Sequence, residues 1–330
     1  MIKLAVDLLG SDKGELELLE GVLTALNSKP DLFVYAFGTK EKLEEDLETK
    51  TYNKEQIEII NSTETITNSE NPMEAIRSKK DASMIKAATF CRDNDEVGAL
   101  VSCGATGGLM VSSMFIVRPL SAAITPVLLC ELLKRNGQYI CLSDCGANIE
   151  SPAEKILDFA KMAVAYMKAK GVENPKVRLL SNGAEDGKGT KKVKDAFALL
   201  KESRLNFLGN VEGSTALTTD ADIIATDGFE GNILLKSLEC GANSVINDIR
   251  DMADTFDEKE KELLFSITDK YRKKYDYNTQ GGAVLLGVKK PVVKGHGSAT
   301  AETMVSIIDI AYTLAKNNIV DKIKEEFSLK

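Results

Sequence analysis

Strand-like runs alternate with helical periods along almost the whole chain, and this alternation limits the possible folds more than any other feature. Ile2–Asp7 is an apolar run of strand length, and the segment after it repeats Leu16, Leu19, Val22, Leu23 and Leu26 on one helical face. Leu32–Gly38 and Ile57–Ile60 are further strands on either side of a charged helix, and Ala75–Cys91 has a helical period with a break near Asp81. Val97–Ser102 is the next strand. Past residue 150 the pattern predicts a helix over 153–170, a strand over Lys176–Ser181, a helix over 190–202, and strands over Leu205–Leu208 and Asp222–Thr226. Helices over 230–251 and 258–275, strands over Ala283–Leu286 and Val292–Lys294, and helices over 300–316 and 319–327 follow. One interruption stands out: Val127–Leu133 and Gln138–Asp144 flank Lys134-Arg135-Asn136-Gly137, and Asn-Gly between apolar runs is a strong hairpin signal. Alternation with one antiparallel insertion predicts an α/β chain of three α/β/α layers, with helices on both faces of a large, mixed, mainly parallel sheet.

The 330 residues, 43% hydrophobic and 28% charged, supply a full core and exclude disorder as the main state. The expectation is a single α/β unit over 1–330, with the hairpin arm near 127–144 and a helix pair at 230–275; a boundary near 120–150 is only weakly marked. A net charge of −8 excludes a general nucleic-acid binder, which needs a basic footprint, but leaves room for a local basic patch. The single histidine excludes His-rich metal sites and would force any Ser-His-Asp triad through His296. Six cysteines without a C-x-x-C pair predict buried free thiols rather than a zinc ribbon or a dithiol redox site. Val97–Val117 is uncharged over about the length of a bilayer helix, yet Gly98, Gly104, Gly107 and Gly108 mark it as strand, loop and then helix. MIKLAVDLLG begins a strand with no basic segment ahead of an apolar one, so no signal peptide is expected and the compartment is the reducing cytoplasm.

In open sheets of this kind ligands sit beyond the C-terminal ends of strands. Those ends carry one recurring chemistry here. Asp7-Leu8-Leu9-Gly10-Ser11-Asp12 ends the first strand, Ser102-Cys103-Gly104-Ala105-Thr106-Gly107-Gly108 another, and Asp144-Cys145-Gly146-Ala147-Asn148 the hairpin. Asn182–Gly189, Asp227-Gly228-Phe229-Glu230-Gly231-Asn232 and Lys294-Gly295-His296-Gly297-Ser298 complete the set. Gly and Asp are common turn residues, so any one corner can be only a turn. Taken together they suit a crevice, and Gly104–Gly108 leading into a helix offers free N–H groups and a positive dipole end to a phosphate or an oxyanion. No lysine follows those glycines as in a Walker A loop, and the first strand turn lacks G-x-G-x-x-G, so no nucleotide is expected.

These corners resemble those of the PlsX-type phosphate acyltransferases, and the resemblance runs nearly end to end. Its most specific pieces are Asp227-Gly-Phe-Glu-Gly-Asn-Ile-Leu-Leu-Lys236, the segment Gly281–Val288, and Val293-Lys-Gly-His-Gly-Ser298. Asn71–Met84, Asp144–Asn148 and Gly209-Asn-Val-Glu-Gly213 also fit. The chain departs from the family pattern at Leu8, Leu9 and Ser11 of the first corner, at Ala105 where the family has Asn, at Ser78, and at Thr125. The resemblance implies an isocitrate dehydrogenase/phosphotransacetylase-like α/β/α fold, a homodimer, and formation of acyl phosphate from acyl-(acyl carrier protein) and inorganic phosphate in phospholipid synthesis.

In that reaction a phosphate oxygen attacks a thioester carbonyl and a thiolate leaves. A thiol has a pKa of about 8.5, so the leaving group needs little acid help, and positioning with oxyanion stabilisation would supply most of the rate. No protein nucleophile, metal or cofactor is then expected. Phosphate is placed at Ser102, Gly104, Thr106 and Gly107, with help from Arg77 or Lys79. His296 serves as general base or oxyanion donor, with Lys236, Asn232 and Asp227 as further catalytic candidates, and Lys188 as a candidate for phosphate or carbonyl contact. Asp7, Gly10, Asp12, Asp144, Asn148, Gly297 and Ser298 complete the substrate-binding set. Asp7, Asp12, Asp144 and Asp227 are read as loop-orienting through Asx-type hydrogen bonds, with metal ligation as the alternative; each lysine also reads as a solvated helix residue. A phosphotransacetylase-like enzyme using acyl-coenzyme A, or a non-catalytic acyl-binding protein, are the other functional readings.

An acidic carrier protein needs a local basic patch, and Lys188, Lys191, Lys192 and Lys194 form the first candidate, with Lys270, Arg272, Lys273 and Lys274 the second. In the helix pair, stripes Val245/Ile249/Met252 and Leu264/Ile267/Tyr271 are expected to pack on each other and on a second subunit. The resemblance would place a peripheral membrane contact at the tip between the two helices. That tip, Asp254 to Glu262, is dominated by acids and offers only Phe256 for insertion, so membrane contact is expected to be weak or absent.

Overall fold

The computed structural model describes residues 1–275 and 282–329, apart from the side chain of Lys273. The chain runs β1 (Ile2–Asp7), α1 (Glu15–Ser28), β2 (Leu32–Gly38), α2 (Lys40–Glu48), β3 (Ile57–Asn61), α3 (Pro72–Ser78), α4 (Ser83–Asp93) and β4 (Val97–Ser102). It continues with α5 (Thr106–Ser112), widened into a looser turn over Ser113–Val117, then β5 (Val127–Leu133), β6 (Tyr139–Ser143), α6 (Ala153–Ala169), β7 (Lys176–Leu180) and α7 (Lys191–Glu202). Then come β8 (Asn206–Val211), β9 (Ile223–Ala225), α8 (Gly228–Ala253), α9 (Glu258–Tyr275), β10 (Ala283–Leu286), β11 (Val292–Lys294), α10 (Ala301–Lys316) and α11 (Ile319–Glu326).

All of these strands join one sheet in the order β3-β2-β1-β4-β11-β10-β5-β6-β9-β7-β8. From β3 to β11 neighbours are parallel, and from β6 to β8 they are parallel again. Between them β10 runs against both β11 and β5, and β5 against β6, so the two parallel blocks point in opposite directions. The Asn-Gly hairpin is β5–β6, closed by Lys134 N–H to the Gln138 carbonyl at 2.7 Å, and it lies inside the sheet rather than at its rim. The expected break near Asp81 is real: α3 stops at Ser78, and the Asp81 carboxylate accepts from the N–H and hydroxyl of Thr63, tying the break to the end of β3. The strand expected over Leu205–Leu208 runs on to Val211 through a bulge opposite Val177–Leu179, so Gly209 and Asn210 belong to a strand and not to a corner.

Alternate residues of the central strands feed two cores, which is why these strands read as continuous apolar runs. Leu4, Val6 and Val101 pack with α1, α6 and α10, through Leu19, Val22, Phe159, Tyr166 and Ile307. Ala5 and Leu100 face the other way, under Met84 of α4 and Leu109 of α5. On that same side α8 covers the second block, with Leu235 against Leu132, Leu142 and Ile224. Lys294, at the end of β11, is left half-buried on this face.

Two expectations need correction, for Cys240 and for the helix-pair tip. Cys91, Cys103, Cys130, Cys141 and Cys145 are buried free thiols as expected, but Cys240 is exposed on α8. Within one chain the apolar stripes of α8 and α9 pack on each other only in part: Ile246, Ala253 and Thr268 are buried, whereas Val245, Met252, Ile267 and Tyr271 remain exposed. The tip offers more apolar area than Phe256 alone, since Met252 and Leu263 are exposed beside it. None of the described helices is long and apolar enough to cross a membrane. The Gly281 end of the Gly281–Val288 segment lies outside the described residues.

The first turn of α8 is pressed against the end of β6. A Cβ at Gly231 would stand 1.9 Å from the Asp144 carbonyl oxygen, a backbone atom that cannot step aside. Gly241, further along the same helix, has nothing within 4 Å of that position. Gly231→Ala is therefore expected to cost about 2–3 kcal/mol, while Gly241→Ala gains about 0.5–1 kcal/mol from helix propensity. Urea unfolding of the two variants checks this; equal effects would show that the close approach is not a real constraint.

Candidate active site

Two clusters of corners form around two buried carboxylates. In the first, Asp7 ends β1 and Ser102 ends β4 in register with it. The Asp7 carboxylate accepts from the Ser102 hydroxyl at 2.6 Å, the Ser83 hydroxyl at 2.5 Å and the Leu9 N–H at 3.1 Å. The Ser102 oxygen also accepts the Gly104 N–H at 3.1 Å. Ser102 is fully buried, so its hydroxyl shapes the loop instead of facing an incoming anion. Thr106 and Gly107 are exposed at the start of α5, whose N-terminus has no side-chain cap because position 105 is Ala. The amides of this turn are therefore free to meet a ligand.

The first and last corners close on this cluster. Gly10, at φ +87°, lies so near Gly104 that a Cβ there would be 3.0 Å from the Gly104 Cα. The Gly297 carbonyl accepts from the Asp12 N–H at 2.7 Å and from the Ser11 hydroxyl at 3.1 Å, so Ser11 is accommodated by a bond that glycine could not make. His296 is exposed next to it, with Nδ1 at 2.8 Å from the Ser298 hydroxyl and 3.2 Å from the Ser298 N–H. A backbone N–H can only donate. Nδ1 is thus an acceptor, which leaves Nε2 as the ring's donor.

The second cluster centres on Asp144, fully buried at the end of β6. Its carboxylate accepts the N–H groups of Leu128, Gly146, Ala147 and Asn148 and the Asn148 side-chain amide, at 2.7–3.3 Å. Asn148 also bonds the Pro126 carbonyl, and its own carbonyl accepts the Gly228 N–H at 2.9 Å. Asp227, likewise buried, caps α8 by accepting the Glu230 N–H at 2.9 Å, and its other oxygen pairs with Lys192. Both oxygens are engaged, which assigns Asp227 to holding α8 in place. The exposed Asn232 lies over Gly146 and so joins the two corners.

Other expected residues are placed differently. Lys79 donates to the Thr65 carbonyl at 2.8 Å and pairs with Glu70 at 2.6 Å, so its charge is already used. Arg77 is exposed and lines a groove with Ile85, Thr89 and Ile116. Lys192 leaves the basic patch, because Asp227 and Glu230 hold it: burial lowers its pKa, but their hydrogen bonds and charges outweigh that and raise it. Lys188, Lys191 and Lys194 are exposed. Lys236 is exposed and paired with Glu239 at 2.6 Å. Two site residues were not singled out from the sequence. Ser83 lies in the Asn71–Met84 segment, and Lys294 immediately precedes the Gly-His-Gly run, but neither has a local spacing that marks it. Among the described residues, no cluster of three or more His, Cys, Asp or Glu side chains could hold a metal ion.

The architecture is that of the phosphotransacylases. A branched-chain phosphotransacylase from Enterococcus faecalis V583 superposes with a TM-score of 0.59 at 17% identity, over 96% of this chain and 99% of that one. At this identity the likeness is one of fold. Sequence goes further: the family model described as "Fatty acid synthesis protein" matches residues 2–322. A phosphate acyltransferase from Lactobacillus acidophilus is 35% identical over the whole of both chains, and one from Staphylococcus aureus is 36% identical over 98% of each. The chain belongs to the fatty acid synthesis protein family.

Burial pushes Asp7 up to about 6 from an ordinary 3.8, against the lowering effect of its bonds to Ser102, Ser83 and Leu9. Between those two values the folded protein holds a proton on Asp7 that the unfolded chain has lost. Stability from this group therefore falls as pH rises from about 4 to about 6, by about 3 kcal/mol in all. Asp7→Asn is expected to remove that component. Urea unfolding of both proteins across this range should show the wild type losing stability relative to the variant; a pH-independent difference would mean that Asp7 stays ionised throughout.

Proposed function

We propose that the protein is a phosphate acyltransferase, moving an acyl group from a thioester to inorganic phosphate. The full-length likeness to phosphate acyltransferases carries this reading. The buried side chains nearest the Gly104–Gly108 turn support it, because none of them is poised as a nucleophile. Burial pushes the Cys103 thiol up to about 12, and the Ser83 and Ser102 hydroxyls are committed to Asp7. In this reading the attacking atom comes with a substrate. A phosphate oxygen adds to the thioester carbonyl, the new C–O bond forms, and the C–S bond breaks as the tetrahedral intermediate collapses to acyl phosphate and thiolate. The free amides at the start of α5, Thr106 and Gly107, hold the phosphate, and the His296 Nε2–H donates to the oxyanion. Lys236 and Asn232, on the first turns of α8, complete the polar wall opposite. This role for His296 replaces the general-base alternative, since Nδ1 is already an acceptor and phosphate needs no base near neutral pH.

The thioester donor we assign is acyl carrier protein, met by the exposed Lys188, Lys191 and Lys194 near α7; Lys270 and Arg272 of α9 are a more distant basic surface. The exposed residues Val245, Ile267 and Tyr271 belong to an apolar groove of about 640 Å³ between α8, α9 and the 213–218 turn, a face suited to a second copy of the chain. A homodimer is therefore the assembly we propose. Acidic Asp254, Asp257 and Glu258 at the helix-pair tip disfavour anionic lipid, so membrane contact is weak.

Purified protein given palmitoyl-carrier protein and phosphate should release thiol and form a hydroxylamine-reactive acyl phosphate; release without phosphate, or none at all, would reject the assignment. A preference for the coenzyme A thioester would reject the carrier protein alone. His296→Ala should lower kcat by about 10²–10³-fold, the usual loss for one oxyanion donor, and His296→Gln should recover part of it. Sedimentation should give a dimer at micromolar concentration, dissociated by Tyr271→Glu, and anionic vesicles should float without the protein. A monomeric wild type, or strong flotation, would overturn those two claims.

A further inference from the structure

Lys294 ends β11 in register with Ser102 of β4, which is itself in register with Asp7 of β1. Residues paired in register on parallel strands turn to the same face of a sheet, so the three side chains form a row across adjacent strand ends. Asp7 and Ser102 satisfy each other. Lys294 does not share their bond: its Nζ donates to the Gly295 carbonyl at 2.8 Å, and among the described residues no carboxylate pairs with it. On its other side the row continues with Ala283 of β10 and Cys130 of β5, a methyl group and a buried thiol. The cation that acts on it from across the opening is Lys236 of α8.

A half-buried ammonium is costly unless it is matched by charge or by a full set of hydrogen bonds. One carbonyl leaves two of its donors unused. Burial, chiefly, pushes Lys294 below the ordinary lysine range; the Cys103 thiol beside it acts the other way, and the like charge of Lys236 adds to the lowering. An anion between the two lysines would relieve desolvation and repulsion at once, and Lys236 is free to turn to it because its exposed pair with Glu239 is worth little. Gly295 N–H donates to the Ser102 carbonyl at 2.9 Å, so Lys294 is held directly beside the Ser102–Gly104 corner.

We infer that Lys294 is a ligand of the inorganic phosphate substrate, holding it against the Gly104–Gly108 turn from the β11 side. This rests on the reading of the protein as a phosphate acyltransferase. The test therefore includes readouts that need no turnover. In the full-length protein at constant ionic strength, phosphate should raise the melting temperature of the wild type and leave that of Lys294→Met unchanged. In activity assays, Lys294→Met should raise the KM for phosphate by about tenfold or more, as loss of a charged hydrogen bond implies, with the KM for the thioester within about twofold. Acetic anhydride footprinting of the wild type, read by peptide mass spectrometry, needs no variant at all: phosphate should shield Lys294 and leave exposed Lys13 unaffected. Equal labelling of Lys294 with and without phosphate overturns the inference, as does an unchanged phosphate KM in Lys294→Met. Shielding of Lys294 in a protein that forms no acyl phosphate would leave the ligand in place and reject the enzyme; acyl phosphate formation without shielding does the reverse.

Discussion

Because β10 runs against both β11 and β5, and β5 against β6, the C-terminal corners of the two parallel blocks open at opposite edges of the sheet. A parallel sheet wound in one direction would put all its corners in one crevice. Here the second block reaches the first only by sending a helix across the face. α8 starts at the Asp227 corner and, two turns along, brings Lys236 close enough for its charge to be felt at Lys294. The site thus combines a row of strand ends from one block with a helix wall from the other. Its assembly depends on the angle at which α8 leaves β9, which Asp227, Lys192 and the close Gly231–Asp144 approach together determine.

The buried carboxylates of Asp144 and Asp7 serve different ends through different donors. Asp144 is surrounded by backbone N–H groups, which cannot rotate away, and it organises the 144–148 turn as a rigid seat for α8. Asp7 is held chiefly by two serine hydroxyls, which can turn and accept as well as donate. A carboxyl in such surroundings can be either charged or neutral without breaking the structure. That difference places adjustable electrostatics beside the Gly104–Gly108 turn and fixed geometry at the opposite wall.

Most of the fold was legible because periodicity reports burial, and burial in this sheet is regular. The hairpin, the break near Asp81 and the helix pair all follow from local pattern. Placement within the sheet was not legible: nothing in Ala283–Leu286 or Val292–Lys294 says that they lie between β4 and β5. For the candidate site, the Gly-Asp corners marked the loops that gather around Asp7 and Asp144, since a short acceptor beside a glycine is a local signal. What a side chain does within its corner depends on partners far away in sequence. Ser102 faces Asp7, Lys192 is claimed by Asp227, and Lys294 owes its isolation to Ala283 and Cys130 on neighbouring strands. The apolar stripes of α8 and α9 show the same limit: helical spacing marks a face but not what it meets.

The central position of β10 and β11 also bears on how the chain is made. β4 and β5 are consecutive strands in sequence, yet in the finished sheet they are separated by residues 283–294. As the polypeptide leaves the ribosome, β1 to β4 can pair with one another, but β4 keeps a bare, uncharged edge, Val97-Gly-Ala-Leu-Val-Ser102. Such an edge is a template for pairing with other chains. It stays open until β11 has been translated, and a chain that stops before Val292 would never cover it.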